Sequence, residues 1–309
     1  MGSEVQPGRP LRLLQVEGFE ARKNDVVYCP SGAPSTPPTV AAVFPGDVQD
    51  FTENMEAHRD NRRHKQWNLE RTAQVIQRHF PECHVLVIKP SRMDFKTFSC
   101  FQNFVKSDQL GVPDHTPNHN SLRHLDRLIK NASCTLQESS DSELEEALRV
   151  SAKALGESGN APDGVSICRN NFYGCPLKLI GFSKGCVVLN QFLHEFHHFK
   201  VAPKEDEEVF GVMARIEDMY WLDGGHSGGT NTWVTSKTVL ETLASSSIRV
   251  HVHVTPYQID DDRRPWIKKE EKTFSDTLVK LGCDIKRSVH FEGVPPTLLT
   301  HFEVLNAFS

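Results

Sequence analysis

The chain has no apolar run longer than a strand, no Cys-x-x-Cys pair and no surplus of basic charge, and each absence removes a class of function. A bilayer-spanning helix needs about 20 consecutive apolar residues, so no transmembrane segment is expected. Lys and Arg number 35 against 40 Asp and Glu, a formal net charge of −5, without the basic excess that argues for nucleic acid or an anionic membrane. The eight cysteines, Cys29, Cys83, Cys100, Cys134, Cys168, Cys175, Cys186 and Cys283, sit largely in apolar surroundings. They read as reduced, buried thiols of an intracellular compartment rather than a disulfide framework. The first residues lack a secretory hydrophobic core, and Glu4, Glu17 and Glu20 interrupt what an acid-free presequence would require. Gln6 stands where a myristoylation signal wants Ser or Thr. No internal repeat occurs, and no strand-to-helix phosphate loop with a following lysine suggests nucleotide binding.

What is present is a succession of short apolar runs separated by helical patterns. "DVVYCP", "VAAVFPGD", "HVLVIKP", "LKLIGF", "RIEDMYWL", "IRVHVHV" and "CDIKRSVHF" read as strands. "QWNLERTAQVIQRHF", residues 142–155, the segment after Gly185, "KTFSDTLVKLG" and "LLTHFEVLNAF" carry helical spacing. Near-continuous apolar strands alternating with helices predict an α/β fold, a mainly parallel central sheet covered on both faces. Residues 1–24 read as a variable N-terminal segment and 25–309 as a single domain. Within it, 91–164 reads as an insert before the nucleophile strand, a lid-like connection whose Phe-rich start, "FKTFSCFQNF", is read as a satellite core.

The chemistry centres on "LKLIGFSKGCVVLNQFL", where an apolar strand becomes an apolar helix across G-x-S-x-G. The serine of such an elbow sits on a strained turn with its hydroxyl projecting from the sheet, which makes Ser183 the candidate nucleophile. Gly181 and Gly185 are then needed because a Cβ there would strike the neighbouring strand or helix. The Lys184 N–H, at the helix start, is a candidate oxyanion donor. A second donor should come from "VFPGDVQDF", through the Gly46 or Asp47 N–H.

A serine needs a base and the base an orienting carboxylate, here in chain order Ser, acid, His. His301, opening the last helix, is the expected base, with His290 its rival inside a strand pattern. Asp261 is the favoured acid, in "PYQIDDDRRPW". Asp262, Asp260 and then Asp223, which ends the preceding strand in "WLDGG", are the alternatives.

"FPGDVQDF", "GFSKG", "WLDGGH", "HVHVTPYQ", "PWI" and "HFEVL", in this order, closely resemble the chromosome 2 open reading frame 69 family over nearly the whole chain from about Asp25. The resemblance implies an α/β-hydrolase-fold serine hydrolase with Ser183 as nucleophile, supports His301 as base, and implies a mitochondrial location, with the cytosol as the alternative.

The function expected is hydrolysis of an ester, thioester or amide in a small-molecule or acyl substrate through an acyl-Ser183, with no cofactor and no metal. A catalytically silent member of the fold, acting as a scaffold for a protein partner, is the first alternative. The second is a zinc hydrolase built on "HEFHH", where His194 and His198 share a helix face and Glu195 would be the base. His251 and His253 alternate on one strand face, where a half-buried sheet surface accounts for them. "DGGHSGGTN" reads as a mobile loop near the active face, with His226 a candidate substrate contact.

Overall fold

The computed structural model of the protein describes residues 8–32, 38–157, 169–202 and 206–309. The described residues form ten strands: β1 (Leu11–Glu17), β2 (Lys23–Cys29), β3 (Thr39–Phe44), β4 (Cys83–Ile88), β5 (Arg92–Asp94), β6 (Phe98–Cys100), β7 (Leu177–Phe182), β8 (Ile216–Leu222), β9 (Arg249–Val254) and β10 (Ile285–Val289). Eight of them make one sheet in the order β1-β2-β4-β3-β7-β8-β9-β10; β5 and β6 pair as a separate hairpin. Only the pairings β1–β2 and β2–β4 are antiparallel within the main sheet. From β4 to β10 the neighbours run parallel. One antiparallel strand, β2, in an otherwise parallel sheet with a β4-β3 reversal makes this the α/β-hydrolase fold.

The sheet is buried on both faces by period-two alternation. Val26, Tyr28, Val40, Ala42 and Phe44 face one core, while Val27, Cys29, Ala41 and Val43 face the other. The first core is closed by α3 (Ser121–Glu138), α4 (Asp141–Leu155), α5 (Cys186–Val201), α6 (Glu207–Arg215), α7 (Lys237–Ala244) and α9 (Pro265–Lys280), and the second by α2 (Leu69–His79) and α10 (Leu298–Ala307). The remaining short helices are α1 (Thr52–Glu56) and α8 (Pro256–Ile259). No helix among the described residues is long and apolar enough to cross a membrane.

Two expectations about organisation are corrected. Residues 1–24 are not uniformly a variable segment: Leu11–Glu17 forms the edge strand β1, paired to β2, with Leu11, Leu13 and Val16 in the core. Its alternation is interrupted between Leu13 and Val16, where the register shifts and Gln15 adopts φ 54°, and that irregularity hid the strand. Residues 91–164 are not a lid throughout. α3 buries Leu122, Leu125, Leu128, Ile129 and Leu136 and, with α4, packs on β1, so this stretch is the covered crossover between β4 and β7. Residues 158–164 and Cys168 lie outside the described residues. The other seven cysteines are free.

Candidate active site

The C-terminal ends of β7, β8 and β9 are in register, Phe182 against Leu222 and Leu222 against His253. One residue beyond, the first two strands deliver Ser183 and Asp223 side by side, and both leave the sheet in the left-handed region, with φ 52° and 49°. Left-handed backbone at a non-glycine residue costs on the order of 1–3 kcal/mol. The surroundings hold both turns: Asp223 N–H donates to the His253 carbonyl at 2.7 Å, and Gly225 N–H to the Ser183 carbonyl at 3.3 Å.

The glycines of the elbow behave as its geometry demands. A Cβ on Gly185 would collide with the carbonyl oxygen of Phe44 on the neighbouring strand, and one on Gly181 would lie 2.9 Å from Cys186 Cα. Both obstacles are backbone and cannot swing aside. Gly185→Ala is therefore expected to separate α5 from β3 and to cost about 3 kcal/mol or more, beyond ordinary overpacking. Urea unfolding of the variant checks this; a midpoint unchanged from wild type would mean the junction is not tight.

His301, 3 % exposed, is placed by the first turn of α10, whose cap Thr297 accepts the Thr300 N–H. Its ring lies between two aromatic rings, Phe182 and Tyr257, each with its centroid 4.7 Å away. Nδ1 bonds Asp223 Oδ2 at 2.6 Å. Asp223 is fully buried, and its two oxygens accept the Thr255 N–H at 2.7 Å and the Thr255 hydroxyl at 2.6 Å. With Nδ1 carrying the proton, Nε2 is left as the acceptor, and it has no protein partner among the described residues. No hydrogen bond joins it to the Ser183 hydroxyl; in an unliganded site such a bond is often long and tightens on binding. Stacking on Phe182 keeps the imidazole beside the residue that precedes Ser183.

The partner of His301 is thus Asp223 and not Asp261. Asp261 pairs with Arg263 at 3.1 Å and Arg264 at 2.9 Å, which hold its carboxyl well below the usual range. Asp260 pairs with Lys268 at 2.7 Å, and Asp262 is exposed. The triple-aspartate run is the surface turn between α8 and α9. It follows the right sort of strand, but the arginines two and three residues on claim its carboxylate. His290 is not at the serine; its Nε2 bonds His253 Nδ1 at 2.9 Å.

The loop after β3 also differs from expectation. The Gly46 N–H donates to Gln49 Oε1 at 2.8 Å, and Gln49 is locked in turn by bonds to the Trp67 carbonyl and the Thr72 hydroxyl. Gly46 instead permits close approach: a Cβ there would stand 2.8 Å from Ser183 Cβ. Asp47 accepts the Ser99 N–H at 2.7 Å and faces the buried Lys184 ammonium at 3.8 Å; burial pushes its pKa up. The Lys184 side chain, 1 % exposed, ends on the Leu110 carbonyl, so the residue after the serine ties the elbow to both the Asp47 loop and the 105–113 segment. Its backbone N–H lies in the first turn entering α5, where amides lack intrahelical acceptors.

Glu195 of "HEFHH" is occupied elsewhere, accepting the N–H groups of His119, Ser121 and Leu122 and so capping α3 from within. His194 stacks on His115, and no cluster of three potential ligands exists among the described residues. The metal reading of that motif is set aside because its carboxylate and one histidine already have structural partners. His226 is buried, its Nε2 3.2 Å from the Asn231 carbonyl and its Nδ1 accepting the Gly228 N–H, so it shapes the 223–231 loop. His251 meets Asp218 at 2.9 Å on the second-core face of the sheet. Sequence reasoning missed Thr255, Tyr257 and Gln49; only the strand-end position of Thr255 carried a signal.

Among curated proteins, the chain is 40 % identical to the mouse "Mitochondrial protein C2orf69 homolog" over 283 residues, covering 86 % of this chain and 76 % of that one. It is 38 % identical to the human "Mitochondrial protein C2orf69" over 331 residues, covering 99 % and 84 %. Among solved structures it is similar to a thermostable esterase, with TM-score 0.45, 13 % identity and coverage of 93 % and 58 %. It is likewise similar to a lipase/esterase from Lactobacillus plantarum, with TM-score 0.44, 12 % identity and coverage of 94 % and 96 %. The C2orf69 family matches residues 12–167 and 151–284. The chain therefore belongs to the C2orf69 family.

Proposed function

We propose that the protein is a serine hydrolase acting on an ester, thioester or amide, with Ser183 as nucleophile, His301 as base and Asp223 as the orienting acid. The observation that carries this reading is the buried Asp223–His301 bond beside a serine in left-handed geometry. In the reaction, Nε2 of His301 takes the hydroxyl proton as Oγ attacks the acyl carbon, and returns it to the leaving group as the tetrahedral intermediate collapses to an acyl-serine. Water repeats the sequence and frees the acid. The Lys184 N–H is the proposed first donor to the oxyanion, its place in the turn entering α5 supporting that role. The Asp47 N–H is the other candidate, since Gln49 holds that of Gly46. No step needs a metal or cofactor. The names of its relatives support a mitochondrial site of action.

One observation favours a second reading. The engaged Gly46 amide suits a catalytically silent member of the fold that binds a protein partner. A fluorophosphonate probe separates the two. A hydrolase is expected to be labelled at Ser183, with Ser183→Ala unlabelled and folded; failure of wild type to label would favour the silent fold.

A further inference from the structure

We propose that the rim of the Ser183 site docks onto an anionic phospholipid bilayer, through an exposed aromatic hairpin tip surrounded by unpaired cations. The β5–β6 hairpin turns at Phe95 and Lys96, and both are left-handed, with φ 47° and 56°. Asn or Gly normally fills such positions; a large aromatic there is strained. Phe95 nevertheless stands 75 % exposed, the most open large apolar side chain among the described residues. Nothing in the fold recovers that cost, so the side chain has its use outside the protein.

Its neighbours supply the charge. "HRDNRRHK", residues 58–65, runs into the 3₁₀ helix Asn61–Trp67, and buried Asn61 donates its side-chain amide to the Lys96 carbonyl at 2.7 Å, fixing the helix against the hairpin tip. The nearby acids are already matched: Asp60 by Arg59, Glu56 by Lys65 and Asp94 by Arg92. Arg62, Arg63 and Lys96 are exposed and form no ion pair among the described residues, Arg63 having only the longer-range attraction of Asp60, which Arg59 already pairs. The chain carries a net charge of −5, yet three of its exposed cations without an ion pair lie together at this edge.

This edge is the site's own rim. The hairpin holds the Asp47 loop through the Ser99 N–H and the bond from Val48 N–H to the Thr97 carbonyl. His64 stacks on Phe302, next to His301, and Leu299, two residues before His301, is 52 % exposed. A bilayer is favoured over an acidic protein because an isolated aromatic among separated cations matches a fluid interface, where a ring inserts and cations meet headgroups. The binding does not depend on chemistry at Ser183.

The test is flotation of the purified chain with phosphatidylcholine vesicles, with and without about a fifth of an anionic phospholipid. Wild type is expected to bind only the anionic vesicles and to be released by salt. The triple variant Arg62→Gln, Arg63→Gln, Lys96→Gln should lose about a hundredfold in partitioning. Phe95→Asn, which suits the left-handed turn, should keep or raise the melting temperature yet lose roughly tenfold in binding, so the loss cannot come from unfolding. Wild type that ignores anionic vesicles, or variants that bind as wild type does, would overturn the proposal.

Discussion

Asp223→Asn is expected to lower the second-order rate of fluorophosphonate labelling at Ser183 by about 10³–10⁴-fold, roughly 4–5.5 kcal/mol of barrier. The carboxylate is fully buried and has one acceptor oxygen for the imidazole N–H. An amide at the same place can present its NH₂ to Nδ1, which would force the proton onto Nε2 and remove the acceptor that Ser183 needs. Asp261→Asn, by contrast, should leave the rate within about twofold, because that side chain is committed to a surface pair worth at most about 1 kcal/mol. The two variants measured side by side decide the acid. Equal losses, or a loss confined to Asp261→Asn, would remove Asp223 from the mechanism. Thr255→Val adds a graded step, since it takes the hydroxyl from Asp223 Oδ2 and keeps the backbone bond.

The second large effect is acid unfolding driven by buried neutral histidines. Burial lowers His84 to about 4 and His124 to about 3, and it also lowers His253, assisted by His290. His124 shows why. Its Nδ1 accepts the Phe19 N–H at 3.0 Å and its Nε2 bonds Asn24 Oδ1 at 2.8 Å, so a proton on Nδ1 would face a donor. His253 has a buried Nε2 without a partner. Below the ordinary histidine pKa of about 6.5 the unfolded chain takes up protons that the folded chain refuses, so stability is intact above that pH and falls as the pH drops below it. Three such groups give a slope of roughly 4 kcal/mol per pH unit between about pH 6 and 4, against a total stability of about 5–15 kcal/mol. Denaturant midpoints taken every half unit should fall steeply in that window, and His124→Gln should flatten the fall. A midpoint constant from pH 6.5 to 4.5 would mean these rings titrate normally.

Much of the fold was legible in the sequence because its signals are local. Strand-length apolar runs, each closed by a turn, need only neighbouring residues to be read, and they located every parallel strand. The elbow was legible for the same reason: strand, glycine, serine, glycine and helix follow one another within a dozen residues, and the collisions at Gly181 and Gly185 match that reading. The edge strand β1 escaped because a bulge breaks its alternation. His301 could be chosen from its place after the last strand.

The acid could not be read in the same way. Asp223 and Asp261 each follow a strand, and nothing local distinguishes them; what does is which carboxylate the register of β7, β8 and β9 brings beside His301, and which one arginines have already neutralised. Nor could sequence show that Gln49 occupies the Gly46 amide, or that Glu195 caps a helix some seventy residues earlier in the chain. The sequence by itself determined the order of the elements and the sharp turn at Ser183, since backbone preference and hydrophobic period act over a few residues. Tertiary structure alone decided the partners of each polar group, because a buried charge is satisfied by whatever donor folding brings within about 3 Å, however distant along the chain.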